Sequence, residues 1–331
     1  MLRGGVAGVP IAVSRIRNPG DPPMLRPGQT AFVFALALIA LCLSGRFGEA
    51  HLAAAGPAIE PARFHHVQLN VTDPKKSIQF YSRVFGATPV KFRGVSDALF
   101  TERSFLLLNK VDMAPDSKLN TGIWHIGWGG VDVKNEYEWW KRHDVTIHTP
   151  LSPLPGPDNF YTYISGPDKE LIEINTMGHH RFAHVHFFCD DVNAATDWYA
   201  KHLGLKPRIP SRPKPKGNME TLAGIWMNFI QSDNVQMIFF GKPDVSPSPP
   251  WWPDEPLQEI QPTKDRPIDR IAFSYRDIQP VYERMQAAGV KILEPISEKP
   301  QFKLKSFLVE GPDKVTIEIV EAKPIPEGVW E

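Results

Sequence analysis

The stretch Phe64–Asp73, FHHVQLNVTD, is the unit from which the rest of the chain is read. Its alternation predicts a strand with His66, Gln68 and Asn70 on one face and Val67, Leu69 and Val71 on the other. Thr72 or Asp73 then caps a helix with Pro74 in its first turn, an apolar stripe of Ile78, Tyr81, Val84 and Phe85, and Gly86 at its end. TPVKF, ALFTE and SFLLLNKV follow as three short strands, so the unit is βαβββ. The same pattern returns at GIWHIGWGGVD from Gly122, at FAHVHFFCDD from Phe182 and at IDRIAFSYRD from Ile268. The histidine position recurs at 59-residue intervals, from His66 to His125 and from His125 to His184. It recurs once more after 86 residues, where Arg270 takes its place.

Unit two is expected to carry a helix over Glu136 to His143 and strands through VTIHT, NFYTYIS and ELIEINT. The helix of unit three, DVNAATDWYAKHLGL, mirrors DPKKSIQFYSRVFGA of unit one, and GPDKELIEI at 166 returns as GPDKVTIEI at 311. Units one and two are therefore expected to form one half, residues 62–178, and units three and four a second, 181–323. The extra length of unit three falls largely in 242–267, a Pro-rich loop in which Trp251 and Trp252 either line a substrate mouth or anchor the loop on a sheet.

Composition narrows the classes of partner. A chain of 331 residues with 42% hydrophobic content can bury a large core or two ordinary ones. Lys plus Arg balances Asp plus Glu at 37 each, which leaves no net field for nucleic acid or an acidic membrane. Neither Cys42 nor Cys189 has metal-binding spacing, and Cys189 reads as a small buried hydrophobe. Residues 1–55 are a leader: Ala31–Leu43 is an apolar run of 13 residues, matching a signal-peptide core and shorter than the roughly 20 residues that span a bilayer. Export to the periplasm or medium is expected, with N-terminal anchoring as the alternative and no stable membrane insertion once the leader is cleaved.

Paired βαβββ units with a first-strand histidine, FY or WY in the helix, Gly at its end and a closing I-E-I strand resemble the vicinal oxygen chelate superfamily. That superfamily includes glyoxalase I, extradiol dioxygenases, methylmalonyl-CoA epimerase and bleomycin-resistance proteins. The resemblance covers about residues 62–322 and implies an α+β fold of four βαβββ modules forming two glyoxalase-like domains. It also implies a site for a divalent metal, placed by position on His66, His125 and Glu173. Two imidazoles and one carboxylate suit Fe(II) or Mn(II), with Zn, Ni or Co possible.

His184, Arg270 and Glu318 occupy the matching positions of the second half. A guanidinium cannot ligate a metal, so that half is expected to be degenerate, with Arg270 paired to Glu318. Tyr163 lies ten residues before Glu173 with Pro167 between them, which resembles the ring-cleavage signature of extradiol dioxygenases, although Gly166 and Lys169 depart from it. Tyr163 is the expected catalytic residue; His65, His148, His179 and His180 are further candidate bases. The implied function is metal-dependent chemistry on a small oxygenated molecule, leaning to an extradiol-type dioxygenase. A glyoxalase-like lyase or epimerase and a non-catalytic small-molecule binder are the alternatives.

Overall fold

The computed structural model describes residues 59–154, 156–214, 226–241 and 259–323. The leader, Cys42 and most of the 242–267 loop, including Trp251 and Trp252, lie outside the described residues. Module one comprises β1 (Arg63–Val71), α1 (Pro74–Phe85), β2 (Thr88–Phe92), β3 (Ser96–Thr101) and β4 (Ser104–Lys110). Module two runs through β5 (Ile123–Gly130), α2 (Val133–Lys141), β6 (Thr146–Pro153), β7 (Phe160–Ser165) and β8 (Leu171–Thr176). Module three contributes β9 (Phe182–Cys189), α3 (Val192–Leu203), β10 (Met227–Ser232) and β11 (Val235–Gly241). Module four contributes β12 (Ile268–Tyr275), α4 (Gln279–Ala287), β13 (Ile292–Lys299), β14 (Leu304–Glu310) and β15 (Thr316–Glu321).

The first helix begins where expected. Asp73 Oδ1 accepts from the backbone N–H groups of Lys75 and Lys76, and Gly86, at φ 66°, closes the last turn in the left-handed conformation. Asp132 and Asp191 cap α2 and α3 in the same way, and Gly204 repeats the left-handed end. In module three an isolated bridge, Pro207↔Ile230, stands where the other modules have a second strand.

The modules do not pair in chain order. An eight-stranded sheet runs β13-β14-β15-β12-β1-β4-β3-β2, and a seven-stranded sheet runs β10-β11-β9-β5-β8-β7-β6. Module one is thus joined to module four through β1 and β12, and module two to module three through β5 and β9, both antiparallel. This corrects the expected pairing of units within 62–178 and within 181–323: each sheet takes one module from each stretch. Connection length accounts for it. Residues 177–181 join two modules of one sheet, whereas the longer segments 111–122 and 242–267 carry the chain between sheets.

One core lies between the sheets. It gathers Val67, Leu69 and Val71 from β1, Tyr81 and Phe85 from α1, Trp128 from β5, Tyr199 from α3 and Phe273 from β12. Trp128 stacks on Phe85 with ring centroids 4.6 Å apart, and Phe64 meets both Phe182 and Phe273, so aromatic contacts tie the sheets together. Smaller clusters occupy separate places: Phe92, Phe100 and Phe105 in the eight-stranded sheet, and Trp124, Phe188, Phe229 and Phe240 in the seven-stranded one. The chemically active side chains stand beside these smaller clusters.

Candidate metal centre

The seven-stranded sheet brings together His125 on β5, Glu173 on β8 and His184 and His186 on β9, all four buried. One candidate donor atom from each lies within 4.8 Å of the others. Register explains the convergence. Gly127 pairs with Glu173 on one side and His184 on the other, and His125 pairs with His186. A β-bulge between Ile123 and His125 turns Trp124 and His125 together toward the site. At Gly127 a Cβ atom would come within 2.0 Å of the His184 ring, so only glycine lets that imidazole lie across β5.

The nitrogen and oxygen atoms already face one another. His125 Nε2 is 2.8 Å from Glu173 Oε2, His184 Nε2 is 3.1 Å from the same oxygen, and the two nitrogens are 3.4 Å apart. Two nitrogen donors each about 2.1 Å from one ion stand roughly 3 to 4 Å apart, so the spacing fits a shared divalent ion. Neither ring nitrogen of His186, nor Nδ1 of His125, has a protein hydrogen-bond partner. Burial outside hydrogen bonds is costly for an imidazole, and metal ligation relieves it.

Electrostatics favours the ligating forms. Burial lowers His125 to about 4 against the opposing pull of Glu173, and burial holds His186 well below the usual histidine value. Burial alone would raise Glu173, but hydrogen bonds from His125 and His184 outweigh it and hold the carboxyl well below its ordinary range. Neutral imidazoles beside a carboxylate are what a divalent cation binds.

Tyr163, expected from sequence, stands here. It pairs with Glu173 across β7 and β8, its ring is 5.1 Å from His125 and 5.8 Å from Trp124, and it is half-buried. Burial raises its hydroxyl well above the ordinary tyrosine value, and the charge of Glu173 adds to that, so the hydroxyl keeps its proton.

His66 is not in this cluster, which corrects the expected triad. Because β1 belongs to the other sheet, His66 faces Glu318 at 3.6 Å and shares a 2.9 Å nitrogen–nitrogen contact with His65. Arg270 also lies 3.6 Å from Glu318, as expected for that pair, but its closer contact is to Asp269 at 2.7 Å. Burial would raise Glu318, yet His66 and Arg270 hold it down near 2, while burial lowers His66 to about 4. His184, assigned from sequence to the degenerate half, takes the place expected of His66. His186 was missed, although the His-x-His spacing of Ala183–His186 puts two imidazoles on one face of a strand.

Of the further candidate bases, His65 lies beside His66 and His180 against Glu136 at 2.9 Å, while His148, against the Thr149 hydroxyl, is near enough for its charge to act on His125. His179 covers Gly129, where an added Cβ would meet its ring at 2.5 Å. Cys189 is a buried free thiol.

Comparison with known proteins agrees with this architecture. Glyoxalase I from Zea mays superposes with a TM-score of 0.59 at 18% identity, covering 78% of this chain and 92% of that one. A putative dioxygenase from Bacillus subtilis gives a TM-score of 0.53 at 11% identity, covering 79% and 86%. No curated protein matches the chain. At these identities the likeness is one of fold. The family model described as Glyoxalase/Bleomycin resistance protein/Dioxygenase superfamily matches residues 63–174 and again 181–319, and with two copies of that model spanning most of its length, the chain belongs to this superfamily.

Proposed function

We propose that the chain is a metal-dependent enzyme of the extradiol dioxygenase type, acting on a small molecule with two adjacent oxygens at the His125–Glu173–His184 centre. The observation that carries this reading is the juxtaposition of two imidazoles, a single carboxylate and the protonated Tyr163. A second carboxylate, as in the two-histidine, two-glutamate glyoxalase pattern, has no source at the matching position of module three. Glu173 pairs with Gly127, two residues after His125; the residue paired with His186, two after His184, is Ile238.

A divalent ion bound here, Fe(II) or Mn(II) in this reading, supplies Lewis acidity toward vicinal oxygens and access to oxygen chemistry. The chain's own residues do the rest. His125, His184 and Glu173 would hold the ion and leave it accessible to substrate. Tyr163 presents a protonated hydroxyl beside Glu173, placed to hydrogen-bond a substrate oxygen and to donate a proton as charge develops there. Trp124, Phe188, Phe229 and Phe240 supply aromatic walls that favour a planar ring and exclude water, with Trp124 and Phe188 stacked at 4.6 Å. The same proposal takes residues 1–55 as an export leader, so that the activity would lie outside the cytosol.

The test is oxygen uptake by the Fe(II)-loaded chain with a panel of catechols, beside hemithioacetal isomerisation by the Ni(II)- or Zn(II)-loaded chain. Ring-opened product with stoichiometric oxygen uptake is expected. Hemithioacetal turnover without oxygen uptake would instead make it a glyoxalase-like lyase, and ligand binding that persists without metal would make it a binder.

A further inference from the structure

Strands β5 and β9 are copies that differ at one informative position. Two residues beyond the first-strand histidine, module two has Gly127 and module three has His186. Gly127 makes room for the His184 ring, while His186 adds a ring of its own to the same face.

That ring is held in place by aromatic neighbours and carries no protein hydrogen bond. Its centroid lies 4.2 Å from Phe240, edge-on, 4.9 Å from Trp124 and 4.7 Å from His125. It is 3% exposed, and both ring nitrogens lack a protein partner. Its neighbour across β11 is Ile238, which occupies the position that Glu173 holds in module two. Thus the closing strand of module three offers no carboxylate at that position, and the adjacent first strand supplies an extra imidazole.

We propose that His186 is a fourth protein ligand, making the centre three imidazoles and one carboxylate rather than two and one. The inference rests on the metal reading above and deepens it. A single carboxylate leaves a divalent ion with net positive charge, which suits an anionic, doubly oxygenated substrate. Three imidazoles beside one carboxylate favour a first-row transition ion over the harder Mg or Ca. Four protein donors would leave a divalent ion room for a substrate that chelates through neighbouring oxygens.

The experiment uses the full chain, stripped of metal and titrated with Co(II), comparing wild type with His186→Leu and His186→Gln. Affinity is read from the visible bands, and bound imidazoles are counted by pulsed electron paramagnetic resonance of the Cu(II)-loaded forms. The expected result is a loss of more than about tenfold in Co(II) affinity for His186→Leu, beyond the lower range for indirect ligand support. The imidazole count should fall from three to two, and the amide donor of His186→Gln should recover part of the affinity. A purely structural role for His186 would leave the wild-type count at two, and that result overturns the proposal. So does His186→Leu binding Co(II) within about twofold of wild type. A wild-type chain that binds no ion at all would overturn the underlying metal reading as well, so the two failures are separable. Far-ultraviolet circular dichroism of the metal-free variants checks folding, and if His186→Leu does not fold, the wild-type imidazole count decides.

Discussion

At Gly127 the absence of a side chain decides whether His184 can reach Glu173. An added methyl would stand 2.0 Å from the His184 Cε1 atom, so Gly127→Ala must push the imidazole away from the site. We expect this substitution to weaken Co(II) binding by about tenfold or more, and to cost about 1–3 kcal/mol of stability through overpacking. Isothermal titration and urea unfolding measure the two effects. Unchanged metal affinity would contradict the placement of His184. Tyr163 gives a complementary prediction, because it stands beside Glu173 and His125 and is not counted among the donors. Tyr163→Phe should lower kcat by about 10²–10⁴-fold, the usual contribution of a positioned proton donor, while metal content stays at the wild-type level. His125 and Glu173 were legible in the sequence because module repetition marks them, and the Tyr–Pro–Glu spacing put Tyr163 beside them. The absence of His66 from the site was not, since its local pattern is the same as that of His125.

Among the elements, the β7–β8 turn is locked to α1 by a buried acid. The Tyr81 hydroxyl donates to Glu170 Oε1 at 2.7 Å, and the backbone N–H of Asp168 donates to Glu170 Oε2 at 3.0 Å. Asp168 in turn accepts from the Thr72 hydroxyl at 2.7 Å, so modules one and two are clasped at this point. Burial raises the Glu170 carboxyl to about 7, although those hydrogen bonds pull it down. Its folded-state value lies above the unfolded one, so between about 4.5 and 7 the folded chain binds more protons than the unfolded chain. Stability from this group is therefore present at low pH and lost as pH rises through about 7, with a slope of at most about 1.4 kcal/mol per pH unit. Urea midpoints at pH 5 and pH 8 should show the fall in wild type and a smaller one in Glu170→Gln; equal falls would remove Glu170 as its cause. The first helix was readable because Asp73 caps its first turn and Gly86 ends it, and the third because it mirrors the first; the second runs over Val133–Lys141, three residues ahead of the expected Glu136 start, because Asp132 caps it.

On the scale of the whole molecule, four similar modules can pair in more than one way, and the choice determines which histidines meet. Every first strand presents an apolar face to the same shared core, so hydrophobic alternation does not discriminate among partners. Linker length does: the short 177–181 connection keeps modules two and three in one sheet, and the longer ones send modules one and four to the other. That arrangement separates His66 from His125 and joins His184 to Glu173 instead. It leaves the eight-stranded sheet with Arg270, Glu318 and His66 in a charge network, where a fixed guanidinium opposes cation binding. The most direct test is the metal stoichiometry of the purified full chain, compared with His66→Ala and His125→Ala. The account predicts one divalent ion per chain in wild type, retained in His66→Ala and lost in His125→Ala; loss in His66→Ala with retention in His125→Ala would contradict it.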